Sequence, residues 1–158
     1  MTAAQHLYTY TLPAAYALLP SRMNSPEASV MLMAIGFQES KFTHRHQIGG
    51  PAVGFWQFET IAVSELLRNP STNRHLAAVV GALRMSTTPY ALRVGIEWND
   101  TLAACVARLN LFRHKAPLPQ IGDISDAWSQ YTRIWAPGKP RPNDWPESYA
   151  FAREVSGL

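Results

Sequence analysis

Apolar residues fall in short blocks separated by Pro, Gly and capping residues, and within the blocks they recur at helical rather than strand spacing. The densest block, "VMLMAIGF" (Val30 to Phe37), follows Ser25-Pro26-Glu27: a capping hydroxyl, a proline for the first helical position and an acid for the first turn. That combination predicts a buried helix running to about Glu39. Pro13 predicts an earlier helix through Leu19, while "ETIAVSELLR" and "STNRHLAAVVGALR" read as two helices split at Asn69-Pro70. Thr88-Pro89 repeats the start signal ahead of "YALRVGIEW". Asn99 or Asp100 caps "TLAACVARLNLF", whose Leu102, Cys105, Val106, Leu109 and Phe112 share one face. Asp123 or Ser125 starts "DAWSQYTRIW", and "ESYAFAREV" forms a last helix after the Pro-rich "APGKPRPNDWP". No long strand and no internal repeat is evident; a small β-hairpin within residues 43–58 is the β-structure expected. The pattern predicts a mainly α protein forming a single domain over residues 1–158.

Composition agrees with a packed core: 47% of the 158 residues are hydrophobic and 16% charged, too apolar for a disordered chain. The formal charge of +3 is a mild basic bias that favours approach to polyanions without choosing among them. Basic residues are scattered, with no basic-aromatic stripe, so nucleic acid is not an expected partner. Cys105 is the single cysteine; it forms no intrachain disulfide and reads as a small buried hydrophobe. The N-terminus lacks a basic residue ahead of its apolar stretch and is broken by Pro13 and Pro20, a poor secretory signal. No apolar run is long enough for stable membrane insertion.

Candidate chemistry begins where the apolar helix ends, at Gln38-Glu39-Ser40. A helix C-terminus carries partial negative charge, so an acid there is electrostatically disfavoured. The following loop, "HRHQIGGPAVG", is turned by Gly49, Gly50, Pro51 and Gly54 and returns "GFWQF" toward the helix end. Phe55, Trp56 and Phe58 are too apolar for a free loop, and Gln57 sits among them with donors and an acceptor. An acid facing such a wall tends to stay protonated, the state that donates a proton to a leaving oxygen.

"ESKF…GGPAVGFWQF" resembles the lysozyme-like lytic transglycosylases, whose signature is E-S-x-[FW], a loop, then G-L-M-Q. Gly54 lies 15 residues and Gln57 lies 18 residues after Glu39, the spacing usual in that family. "ARLN" (Ala107 to Asn110) resembles the family's A-Y-N, offset by one at the alanine, and "WPESYAFAREV" resembles E-T-R-x-Y-V, placing the family tyrosine at Tyr149. The chain departs from the pattern at Leu109, where the family has an aromatic, at Gln47-Ile48 in the loop, and at Glu59, where an apolar side chain is usual. The absence of a signal peptide is similar to phage endolysins and virion-associated wall-degrading enzymes.

The resemblance implies a lysozyme-like fold and cleavage of the β-1,4 bond between N-acetylmuramic acid and N-acetylglucosamine in peptidoglycan. Glu39 would be the catalytic acid and then base, with Ser40, Phe55, Gln57, Glu59, Asn110, Tyr131 and Tyr149 as substrate contacts. It implies no cofactor and no metal, a monomer acting on glycan strands, and synthesis in a host cytoplasm followed by delivery through a holin-type pore or in a virion. A lysozyme-type hydrolase would instead use a second carboxylate, for which Glu59, Glu65, Glu97 and Asp100 are candidates. A wall-binding or virion structural module without catalysis is the alternative of another class, favoured by Leu109.

Plainer roles stand beside each assignment. Glu39 is also readable as a solvated helix-end acid, Gln57 as an amide pinning the loop, Trp56 and Phe58 as core, and Ser40 and Asn110 as caps or cross-links. Tyr131 and Tyr149 are rival hydroxyls for Glu39, either of which could simply pack. His44 and His46 form an H-x-H pair that reads better as surface histidines than as metal ligands, even with His75 or His114 nearby in composition. "PGKPRP" reads as a rigid basic turn with a potential contact to anionic wall polymers.

Overall fold

Several helices begin where the capping chemistry places them in the computed structural model, which describes residues 1–158. Ser25 Oγ accepts from Ala28 N (3.1 Å) at the start of α3 (Pro26–Ser40). Thr88 Oγ1 does the same for Ala91 N (3.2 Å) ahead of α6 (Pro89–Trp98). Asn99 Oδ1 caps α7 (Asp100–Phe112) through Leu102 N (3.0 Å), and Asp123 Oδ1 caps α8 (Ile124–Trp135) through Asp126 N (3.0 Å). The remaining helices are α1 (Ala3–His6), α2 (Leu12–Ala17), α4 (Thr60–Arg68), α5 (Asn73–Ala82) and α9 (Trp145–Ser156). The fold is mainly α.

Two expectations need correcting. The first helix is expected to open at Pro13, but helical structure begins at Ala3, capped by Thr2 in a reciprocal capping box with Gln5. Pro13 lies inside this run, just after a π turn at Leu7–Thr11. A proline there has no N–H for the carbonyl of Thr9 and crowds it, and widening the preceding turn relieves both problems. The hairpin expected within residues 43–58 is reduced to isolated antiparallel bridges from Val53 to His46 and to Phe58. Gly49 and Gly54 at φ of 73° and 74°, with Pro51 between them, turn the chain too often for a strand to extend.

Two helices form the axis of the core. Every residue of α3 from Ala28 to Gly36 is buried, as is every residue of α7 from Leu102 to Leu111. The single apolar face read for α7 is therefore only part of its buried surface. α9 packs along α3, while α2, α5 and α6 pack on α7 and α4 closes against α5, α6 and α7. No helix is long and apolar enough to cross a membrane.

The junction between α3 and the glycine loop depends on Gly36. A Cβ at this position would lie 2.4 Å from Cε1 and 2.6 Å from Cζ of Phe42, so the missing side chain admits that ring against the helix. It also bares the Leu32 carbonyl, which accepts a 2.8 Å hydrogen bond from Trp56 Nε1 in addition to its place in the helix. Trp56 is fully buried, and its ring meets Phe42 edge-on at 6.1 Å. Gly36→Ala is expected to lower unfolding free energy by a net ~1–2 kcal/mol, because overpacking of a filled site outweighs the gain in helix propensity. Gly81→Ala in α5, where an added Cβ meets nothing within 4 Å, is expected to raise it by about 0.5–1 kcal/mol. Urea unfolding of both variants checks the pair; equal effects would show that Gly36 holds no special contact.

Candidate active site

The end of α3 is built from opposed requirements. Lys41 and Phe42 take left-handed conformations, with φ of 53° and 54°, which reverse the chain immediately after Ser40. Such backbone in non-glycine residues is disfavoured and persists where its surroundings over-determine it. The buried Ser40 hydroxyl supplies part of that hold. It accepts from Phe42 N (3.2 Å), and its proton reaches the carbonyl of Phe55 (2.8 Å) or of Gly36 (3.1 Å). Ser40, expected to touch substrate, is thus a tie between helix and loop.

Glu39, half-buried one residue earlier, turns into a cleft of about 870 Å³. Its Oε1 accepts a 2.6 Å hydrogen bond from the hydroxyl of Tyr131 on α8. Burial holds the carboxyl above the usual glutamate range, while the Tyr131 hydroxyl and the Arg141 guanidinium pull it back. The same burial, with Glu39 beside it, pushes the Tyr131 phenol well above its ordinary value, so it stays a donor. Arg141 is positioned by Gln38: its guanidinium donates to the Gln38 carbonyl, and Gln38 Nε2 donates back to the Arg141 carbonyl at 3.0 Å. Ser148 on α9 donates to Gln38 Oε1 at 2.7 Å, so adjacent residues of α3 hold the acid and a cation beside it.

More of the cleft lining comes from "GFWQF" and α7. Gln57 lines the cleft from a left-handed backbone (φ 53°), with its Nε2 donating to the Gly54 carbonyl (2.9 Å). Trp135 of α8 also lines the cleft and donates from Nε1 to the Trp56 carbonyl (2.9 Å), fixing the loop. Asn110 on α7 reaches the cleft with a buried Oδ1 that has no hydrogen-bond partner. An unpaired buried acceptor costs about 1–3 kcal/mol unless a donor reaches it. Lys139 and Arg141 bring the Pro-rich basic turn to the rim.

Glu39, Gln57, Glu59 and Asn110 are brought together in the cleft, with Tyr131 behind the acid. Tyr149 is not: its hydroxyl accepts from Gly122 N (3.0 Å), which ties α9 to the turn before α8. Phe55 is buried against Phe42 (5.7 Å, edge-on) and under the Arg45 guanidinium (4.3 Å), away from the cleft wall. Both assignments as substrate contacts are therefore corrected to packing. Among the four candidate second carboxylates, Glu59 lines the cleft. Glu65 pairs with Arg113 (2.7 Å), Glu97 with His46 (3.3 Å), and Asp100 is gripped by both terminal nitrogens of Arg45. No three His, Cys, Asp or Glu side chains converge as a metal site; His44 Nδ1 lies 3.2 Å from its neighbour Thr43. The sequence reading missed Arg141 and Trp135, whose contacts span 103 and 79 residues and leave no local signal.

The raised Glu39 value fixes the sign of a stability effect. A carboxyl that holds its proton more tightly when folded opposes folding once ionised. The penalty is absent below the ordinary carboxylate range, grows as pH rises toward the folded value and is complete above it. Glu39→Gln is therefore expected to unfold at an equal or higher urea midpoint than wild type at neutral pH, with the difference closing as the pH falls through the carboxylate range. A wild-type advantage at neutral pH would contradict the assignment. Compared with family models, curated proteins and solved structures, the chain matches none.

Proposed function

We propose that this protein is a lysozyme-like peptidoglycan lytic transglycosylase in which Glu39 is the one catalytic carboxylate. The observation that carries the reading is Glu39 itself: a half-buried acid with a raised proton affinity, bonded to Tyr131, and open to a cleft large enough for several sugar rings. The resemblance of "ESKF…GFWQF" and "ARLN" to the motifs of that family supports it, as does the meeting of Glu39, Gln57 and Asn110 in one cleft.

In the proposed reaction the Glu39 carboxyl protonates the glycosidic oxygen as the C1–O bond breaks. The resulting carboxylate, steadied by Tyr131 and Arg141, takes the proton of the muramyl 6-hydroxyl. The freed oxygen bonds to C1 and closes a 1,6-anhydro ring. One carboxylate suffices because the nucleophile belongs to the substrate. Asn110 and Gln57 both line the cleft and would offer their side-chain amides to a sugar hydroxyl or an acetamido N–H. Lys139 and Arg141 favour an anionic polymer at the rim. On this reading the enzyme acts as a monomer on the glycan strands of the cell wall.

Hydrolysis is the second reading, and one observation favours it: Glu59 shares the cleft with Glu39. A hydrolase needs that second carboxylate at about 5 Å for retention or 6.5–9.5 Å for inversion. Mass spectrometry of digested sacculi decides between them. The expected products are anhydro-muropeptides from both wild type and Glu59→Gln, with Glu39→Gln slower by at least about 10²–10⁴-fold. Reducing ends alone, lost in Glu59→Gln, would replace the transglycosylase by a muramidase. Sacculus binding without cleavage, equal in wild type and Glu39→Gln, would leave a non-catalytic wall-binding module.

Tyr131→Phe gives a separate check on the acid. Removing a donor that favours the anion raises the Glu39 proton affinity further, so the alkaline limb of the activity profile is expected to move to higher pH. An unmoved limb would mean that the Tyr131 hydrogen bond does not tune the catalytic group.

A further inference from the structure

Around the C-terminal end of α7 lies a second cavity, of about 420 Å³, with a marked imbalance of charge. Arg108, Arg113, His114 and Lys115 line it, together with the apolar Leu111 and Leu118. Arg108 is buried, at 5% exposure, yet no carboxylate pairs with it; its hydrogen bond runs from Nε to the Met23 carbonyl at 2.7 Å. Arg113 has a buried Nε with no partner, and only its Nη1 is matched, by Glu65 at 2.7 Å. Beside the cavity, Arg22 lies over the Phe112 ring at 5.4 Å, and His75 meets the same ring edge-on at 6.1 Å. Glu65 is thus the one acid paired with this set of cations.

Burying a guanidinium without a counter-charge is strongly unfavourable, and proteins generally pair such groups. The surroundings report the same field. Burial, then Arg113 and Arg133, hold His114 below the usual imidazole range, and burial, then Arg22 and Arg74, do so for His75. Water reaching the open cavity relieves part of the penalty. A bound oxyanion would relieve more, because a guanidinium fork matches two oxygens at once.

We propose that this cavity is an oxyanion-binding site, with Arg108 and Arg113 gripping a carboxylate or phosphate and Lys115 closing on it from the surface. The apolar Leu111 and Leu118 wall, and a volume well beyond that of a bare tetrahedral ion, fit an anion attached to an organic body. Arg113 also lines the catalytic cleft, so such a group can belong to a free small molecule or to the polymer lying in the cleft. The site follows from charge and burial and does not rest on the lytic reading.

The test uses the intact protein at constant ionic strength, titrated with inorganic phosphate, phenyl phosphate and benzoate, and followed by amide chemical shifts and thermal unfolding. Saturable shifts at Ser71, Leu111 and Lys115 are expected, with phenyl phosphate binding several-fold more tightly than inorganic phosphate. Arg108→Met should abolish them, and the exposed Lys115→Ala should weaken binding about 3–10-fold while leaving the unliganded unfolding temperature unchanged. Arg108→Met also gives up the hydrogen bond to the Met23 carbonyl, so its unfolding without added anion serves as the control that it folds. If Arg108→Met fails to fold, Lys115→Ala alone decides. Displacement of phenyl phosphate by soluble glycan strands bearing free stem-peptide carboxylates would assign the anion to the polymer; its persistence would assign a small molecule. Shifts confined to Lys139 and Arg141, a response that tracks ionic strength alone, or unchanged binding in Lys115→Ala would overturn the site. Because Glu39→Gln should bind the probes like wild type, a failure here is separable from a failure of the lytic reading.

Discussion

The hydroxyl of Ser40 is the point on which the cleft depends. A helix that stops abruptly leaves unpaired carbonyls and a chain that must go elsewhere. Here one oxygen receives the amide of Phe42 and gives its proton to the returning loop at Phe55. With Lys41 and Phe42 left-handed, the chain folds back under its own helix, and the Phe42 ring enters the space left by Gly36. Trp56 then bonds to the Leu32 carbonyl, and Gln57 joins Glu39 in lining the cleft. The acid is held in place because the helix end beneath it is clamped from both sides.

Helix α8 supplies the second constraint. Trp128, Tyr131 and Trp135 recur at helical spacing and dock as a group: Tyr131 stacks on Trp145 of α9 with centroids 5.1 Å apart and planes 2° from parallel. That stack sets the height of the Tyr131 hydroxyl at Glu39, while Trp135 reaches the Trp56 carbonyl one turn later. A single docked aromatic face thus fixes both the hydrogen bond to the acid and the loop opposite it. Rings immobilise with little loss of conformational freedom, which suits them to holding a site at fixed geometry.

The starts of α3, α6, α7 and α8 are legible in the sequence because capping is local chemistry, settled within three or four residues. So is the meeting of Glu39 with Gln57, for the glycine loop between them is short and its turn residues are explicit. Tyrosine choice was not legible. Tyr131 and Tyr149 both sit on amphipathic helices, and what separates them is the long-range partner each meets: Tyr131 reaches Glu39 at 2.6 Å, whereas Tyr149 meets the Gly122 amide at 3.0 Å. The motif-based preference for Tyr149 fails for that reason, since its hydroxyl is taken by Gly122. The pairing of Arg141 with Gln38 is equally hidden: both residue types read as surface until the Pro-rich turn is seen lying against the end of α3. The π turn before Pro13 has a local cause, but a capping box at the very N-terminus outweighed the proline as the start signal.

The opposing influences on Glu39 fit a group that must work in both directions. Burial alone would give an acid that donates well and leaves behind an unstable anion. Tyr131 and Arg141 alone would give a stable carboxylate with no proton to donate. Combined, they keep both states within reach, and the donors sit where the negative charge appears. In a single-carboxylate reaction the same oxygen atoms must give a proton and then take one from the substrate. A hydrolase can divide those tasks between two carboxylates whose environments push their proton affinities apart. Glu59 is exposed, whereas the shaped environment of the cleft is concentrated on Glu39. Within the proposed reaction, that asymmetry favours an internal nucleophile over an activated water.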